Sequence, residues 1–332
     1  MRQKINRIPP LFKYVSLFCL LLALLTACTT TSSKVVYKDF VIVKAKPEDN
    51  LSSLAGKYLN DISKGWLIAE FNGISGVKTG EKLIIPLKPF DIGRLRTYGL
   101  QSVPILTYHR FSKENSSKMV VTEDSFDAQM KYLKENGYHV ITLDQLLDFL
   151  NLNYQTQKKS VVITIDDGWR SCYEIAFPIL KKYGFPATLF IYTDFIGGKK
   201  AMSWEQVKEM SENGFDIQCH SKTHRNLAKM YGDETLNDYV KVLDQEVALS
   251  TKRIKQKLGK ECKYFAYPFG QTTTMLIEVL KKHGYHGAFT ITRGSNPFFI
   301  NNFVLKRSVI YGGFSLSEFK KNLIIFTESD LK

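Results

Sequence analysis

The sequence predicts an α/β protein: a distorted (β/α) barrel of about seven strands, preceded by a small β-α-α-β unit. Three observations carry that expectation. Four times a polar-faced, helix-like stretch ends in glycine followed by an aromatic residue, at Gly137-Tyr138, Gly184-Phe185, Gly214-Phe215 and Gly284-Tyr285. Glycine takes the left-handed conformation that closes helices. A short β-like run begins at or near each of these points ("HVIT", "ATLFIY", "DIQC", "AFTIT"), and such alternation builds a parallel sheet. Finally, polar residues with chemical potential fall where strand-like runs end, as they do on the C-terminal face of a barrel. An open doubly wound sheet is the alternative arrangement.

The chain opens on a basic segment (Arg2, Lys4, Arg7, Lys13) and a short apolar stretch, Leu17 to Leu25. That stretch falls short of the roughly 20 residues a spanning helix needs, so residues 1–27 read as an export signal. Ala27 before Cys28 resembles the bacterial lipobox, which implies that Cys28 is lipidated and anchors the mature chain to a membrane. Thr29 follows in place of an Asp, which favours an outer-membrane anchor where the cell has one and otherwise the extracytoplasmic face of the cell membrane. Lys and Arg outnumber Asp and Glu by 46 to 32, and the chain stays basic without its leader. An exported basic protein points to anionic lipid or an acidic wall polymer and away from nucleic acid; no obligate protein partner is implied. Cys172, Cys219 and Cys262 are odd in number and widely spaced, which argues against a disulfide framework and for buried core thiols.

After a polar tether (28–36), residues 37–87 form a compact unit. Val41 to Val43 read as a strand, and "NLSSLAGKYL" as a helix capped by Asp49 or Asn50. A second helix runs near Trp66 to Phe71, and "EKLIIP" closes the unit as a strand. With "NLSSLAGKY", "IAEFNGI" and "GEKLIIP" in that order, this unit resembles the LysM module, and the resemblance implies binding of N-acetylglucosamine-containing glycans. Glu48 departs from the glycine many members carry there. Residues 88–102 read as a linker.

The second region, 103–326, holds the chemistry. "PILTYH" ends on His109, "VVITIDD" on Asp166 and Asp167, and "FDIQCH" on His220, followed by His224. A helical turn would place His220 and His224 on one face. Two imidazoles and a carboxylate with an open position make up a catalytic zinc site. A cation also explains why two carboxylates share one strand tip: one ligates while its neighbour accepts a proton from water the cation has acidified. Imidazole donors favour zinc over magnesium. The long helix near Leu236 to Leu258 is expected to bury Leu236, Tyr239, Val240, Leu243, Val247, Ile254 and Leu258. His139, His283 and His286 read as structural.

"TIDDG", "HSKTH" and "FAYPFG", in that order and spacing, resemble the motifs of the NodB-homology polysaccharide deacetylases, carbohydrate esterase family 4. The opening "VPILTYHRF" is similar to the branch that includes poly-N-acetylglucosamine deacetylases. The resemblance implies Asp166 as base and Asp167, His220 and His224 as metal ligands. It further implies His109 as acid and Tyr267, Pro268, Phe269 and Gly270 as a groove wall, with the Phe269 N–H facing the oxyanion. Ala266 stands where many members have an arginine beside the base; Arg307, grouped with the substrate-binding residues, is the one candidate to replace it. The implied activity is metal-dependent removal of N-acetyl groups from an envelope glycan, peptidoglycan or exopolysaccharide. A non-catalytic glycan-binding lipoprotein and an O-acetyl (xylan-type) esterase are the alternatives.

Overall fold

The computed structural model describes residues 34–88, 90, 94, 95 and 99–328; the leader and Cys28 lie outside them. Two compact units divide between Lys88 and Pro89.

In the first unit, β1 (Lys34–Val36), β2 (Phe40–Lys44) and β3 (Lys82–Pro86) form an antiparallel sheet with β2 in the middle. Helices α1 (Leu51–Leu59) and α2 (Gly65–Asn72) lie between β2 and β3. Strand β1 corrects the tether expected over 28–36: Val35 and Val36 are β-branched and pair with Ile42 and Val41. Asn50, rather than Asp49, caps α1, in a reciprocal capping box with Ser53. The Asn72 amide donates to the carbonyls of Ile68 and Ile84 and accepts from the Ile84 N–H, fastening α2 to β3. Val41, Val43, Leu54, Ile68, Leu83 and Ile85 form this unit's own core.

The second unit begins with β4 (Gly99–Tyr108), so its first strand takes up the last residues assigned to the linker. There follow β5 (Arg110–Ser112), β6 (Val120–Thr122), α3 (Glu123–Glu135), β7 (His139–Val140), α4 (Leu143–Leu150), β8 (Ser160–Asp167) and α5 (Phe177–Tyr183). Then come β9 (Thr188–Ile191), α6 (Trp204–Glu212), β10 (Asp216–Cys219), α7 (Leu236–Leu258), β11 (Tyr264–Ala266), α8 (Thr274–Lys282) and β12 (Gly287–Phe289). The chain finishes with β13 (Ser295–Pro297), β14 (Ser308–Val309), α9 (Leu316–Lys320) and β15 (Phe326–Glu328). Parallel pairing runs β12-β11-β10-β9-β8-β4-β14, a curled sheet of seven parallel strands. A parallel bridge from Phe289 to Leu305 joins its two ends. The barrel expectation holds, and the open doubly wound alternative does not.

Alternation along the strands decides what reaches the barrel interior. In β8, Val161, Ile163 and Ile165 pack outward into the large core beneath the helices. Val162 packs inward against Val103, Ile105, Phe190, Phe289 and Leu305. Thr164 and Asp166 continue that inward series, so Asp166 enters the barrel by strand parity alone. On α7 the buried face is Tyr239, Leu243, Glu246, Val247, Ser250 and Ile254. Leu236 and Val240, expected to be buried, are exposed, because a buried glutamate and serine displace the apolar stripe. Cys172, Cys219 and Cys262 are buried free thiols.

Candidate active site

Register brings the strand ends to one level. Tyr108 pairs with Ile165, Asp167 with Ile191, and Ile191 with Cys219. His109, Asp166, Asp167 and His220 therefore surround the same mouth. By parity Asp167 would point outward with Ile165; a φ of +78° turns it back. Left-handed backbone is rare for a non-glycine residue and costs energy. Ser221 (φ +71°), His224 (+64°) and Phe269 (+60°) share it, so strained residues gather at this mouth. Next to Asp167, a side chain on Gly168 (φ +98°) would collide with Ile196 at 2.5 Å.

Asp167, His220 and His224 present ligand atoms within 4.8 Å of one another. Asp167 Oδ1 lies 3.6 Å from His220 Nε2 and 3.5 Å from His224 Nε2. The turn holding the histidines is not helical, as expected from spacing, but a loop: the left-handed Ser221 and His224 bring the rings together, with centroids 4.8 Å apart. Three details fit a divalent cation. Asp167 Oδ1 is buried and accepts no hydrogen bond, although its Oδ2 takes the Trp169 indole N–H at 2.8 Å. His220 Nδ1 lies 2.7 Å from the Ala266 carbonyl, which fixes its proton there and leaves the Nε2 lone pair facing Asp167. Burial, outweighing the nearby carboxylates, pushes His220 down to about 4, so the ring is neutral, as a ligand must be. A buried, unpaired carboxylate oxygen aimed at two imidazole nitrogens is costly unless a cation occupies the space between them.

Behind this trio lies the ion pair expected of Arg307, the candidate to replace the arginine absent at Ala266. Arg307 is fully buried and donates to both oxygens of Asp166, at 2.7 and 2.8 Å. Its Nε donates to the Thr290 carbonyl at 2.9 Å, and the guanidinium lies 5.4 Å from the Phe190 ring centroid. Grouping Arg307 with the substrate-binding residues is corrected: it is fully buried beneath Asp166 and is not among the residues that line the cavity. Burial alone would push the Asp166 carboxyl up; Arg307, with His220 and His109, more than offsets that, and the carboxyl sits below the usual range.

The mouth opens into a cavity of about 310 Å³ lined additionally by His109, Arg110, Met119, Trp169, Phe269 and Ile291. His109 Nδ1 is buried and bonds to nothing. Burial draws the ring's pKa down against the pull of Asp166 and Asp167. Of the four predicted wall residues, Tyr267 is buried with its hydroxyl donating to the Phe303 carbonyl, and Pro268 is buried beside it. Tyr267, Phe269 and Gly270 all line the cavity, as expected of a groove wall, whereas Pro268 does not reach it and supports the wall from behind. The face is Phe269, 55% exposed and with its ring 4.9 Å from that of His224. The N–H groups of Tyr267 and Gly270 bond to Phe289 and Tyr267. That of Phe269 has no backbone acceptor among the described residues.

Sequence reasoning missed Trp169. Its place two residues beyond Asp167 is the signal that could have found it, because that spacing lets the indole reach back to the carboxylate. His283, read as structural, closes α8 and lies 2.9 Å from Asp244 on α7.

Known proteins resemble this chain over the barrel. A family model described as polysaccharide deacetylase matches residues 153–288. YxkH of Bacillus subtilis is 31% identical over 225 residues, covering 68% of this chain and 77% of YxkH. The poly-beta-1,6-N-acetyl-D-glucosamine N-deacetylase of Staphylococcus aureus is 30% identical over 228 residues, covering 61% of this chain and 78% of that enzyme. Among solved structures, the Streptococcus pyogenes deacetylase PplD in complex with acetate aligns with a TM-score of 0.61 at 25% identity, over 67% of this chain and 98% of PplD. IcaB from Ammonifex degensii aligns with a TM-score of 0.60 at 27% identity, over 67% and 97%.

Proposed function

The chain belongs to the polysaccharide deacetylase family, and from that premise we propose that it hydrolyses N-acetyl groups of an N-acetylglucosamine-containing envelope glycan. The observation that carries the reading is the meeting, at one cavity, of the Asp167–His220–His224 donor set and the Arg307-bound Asp166. The Staphylococcus aureus relative's named substrate favours a poly-N-acetylglucosamine exopolysaccharide. Held by Asp167, His220 and His224, a divalent ion, zinc by the preference of imidazole donors, supplies Lewis-acid polarisation and acidifies water.

The chain's own residues divide the remaining work. Asp166, ionised and fixed by Arg307, takes a proton from the water that attacks the acetamide carbonyl. The Phe269 N–H donates to the oxygen on which negative charge develops. His109, at the same mouth, gives a proton to the departing amine; acetate and a glucosamine unit result, after which Asp166 releases its proton to solvent and His109 takes one from it. Phe269 and Trp169 give the sugar apolar faces to lie on. Treatment with a chelator is expected to abolish acetate release from poly-N-acetylglucosamine oligomers, and added Zn²⁺ to restore it. Persistent release from the metal-free protein would sink the metal-dependent reading. Parallel incubation with purified sacculi separates exopolysaccharide from peptidoglycan by the acetate each yields.

The N-terminal unit serves the same substrate class as a glycan-binding module of the LysM type, supported by its helix pair packed on a β2–β3 sheet. The protein lacking residues 34–88 is expected to wash off insoluble chitin that retains the full chain; equal retention would remove that role. Export and lipidation at Cys28 place both units at the cell envelope, and incorporation of labelled palmitate that Cys28→Ser abolishes is the measurement for it.

A further inference from the structure

We infer that Glu246 is a positioning residue for the metal ligands: its carboxylate, on α7, clamps the loop that carries His220 and His224. The inference rests on the metal-site reading above and adds to it a residue from outside every motif. Glu246 is 5% exposed, set in the buried face of α7 between Leu243 and Val247. Its Oε2 accepts the N–H groups of both Lys222 and Thr223 at 2.9 Å, and its Oε1 accepts the Thr223 hydroxyl at 2.7 Å. All three donors lie between the two histidines.

The loop needs such an anchor. Ser221 and His224 are both left-handed without being glycine, a conformation that persists only where the surroundings over-determine it. One restraint is internal: Ser221 Oγ accepts the His224 N–H at 2.9 Å. It ties the loop to itself, and the N–H groups of Thr193 and Asp194 hold the loop's carbonyl side through Ser221 and Lys222, at 3.3 and 3.0 Å, which leaves its N–H side to be held. Glu246 supplies that restraint. With Ser221 left-handed, the successive N–H groups of Lys222 and Thr223 converge as an anion-binding nest, and a buried carboxylate fills it. The helix that carries the carboxylate is itself held to the strand before His220, through Ser250 Oγ and Cys219 Sγ at 3.0 Å. Histidine geometry at the mouth is in this way set from the back of the barrel wall.

Binding of Co²⁺ to the metal-free full chain, followed by its visible absorption and by competition with a chelator, tests this without turnover. Glu246→Ala is expected to weaken Co²⁺ by about 10- to 100-fold, the usual penalty for losing an outer-shell partner, and to alter the absorption band. Glu246→Gln is expected to stay within about threefold of wild type. Its amide oxygen can accept both N–H groups, and its NH₂ can donate to the Thr223 hydroxyl. Thr223→Val, on an exposed loop residue, removes one of the three bonds and is expected to show a small loss, so a measurement remains if Glu246→Ala does not fold. Ile254→Ala, a buried truncation two turns along α7, lowers stability and is expected to leave Co²⁺ affinity unchanged. Wild-type affinity in both Glu246→Ala and Thr223→Val, or an equal loss in Ile254→Ala, would overturn the inference. Acetate release plays no part in these readouts: a wild type that deacetylates nothing counts against the proposed function and leaves this inference to the Co²⁺ result.

Discussion

Arg307→Met is expected to destabilise the barrel by about 3–5 kcal/mol, the penalty for leaving a buried charge without its partner. The methionine roughly preserves volume against Phe190, so the loss reports on Asp166 rather than on a cavity. Asp166 is as deeply buried as the arginine, and among the described residues Arg307 is the cation that bonds both of its oxygens. A carboxyl in that position then follows burial, its pKa rises, and it becomes neutral. Activity falls with stability for the same reason, since a protonated Asp166 accepts nothing. Thermal melting of wild type, Arg307→Met, Asp166→Leu and the double variant measures both. The double variant should recover much of the stability each single variant loses, because replacing a buried ion pair by apolar side chains is often close to neutral. Additive losses would show that the two residues do not act as a pair.

Asp166→Asn is expected to lower kcat by about 10²- to 10⁴-fold, the range attributed to a positioned general base, while metal binding persists. Asparagine keeps the shape and can accept one Arg307 N–H, but it carries no charge and cannot take a proton from water. The ligand trio of Asp167, His220 and His224 is untouched, so Co²⁺ titration of the variant should match wild type. That contrast separates the two adjacent aspartates, since Asp167→Asn should lose metal and activity together. Asp166→Asn retaining wild-type kcat would remove Asp166 from the mechanism.

The ends of the strand-like runs made much of the site legible in the sequence, and the structure adds the parity that aims it. Val162, Thr164 and Asp166 follow one alternation, and the ends of β4, β8 and β10 carry His109, the aspartates and His220, as a barrel predicts. Relations between distant strands could not be read the same way. Arg307 meets Asp166 across 141 residues, and only the closure of the barrel places β14 beside β4. The fold of the histidine loop was misjudged because spacing specifies a shared face only if the residues are helical. Here left-handed Ser221 and His224 produce the same convergence by another route. Glu246 lay unread within the helical stripe for a simpler reason. Amphipathic pattern reading counts apolar positions, and a glutamate on that face is discarded as an exception when it is in fact held by three donors.

The arginine's place immediately before the last parallel strand bears on how the protein comes into being. Synthesis and export are vectorial, and His109, both aspartates and both histidines all precede Arg307 by dozens of residues. An emerging chain thus has its full set of metal donors well before it has the counter-charge for its base. Competence arrives only when β14 docks beside β4 and closes the circle.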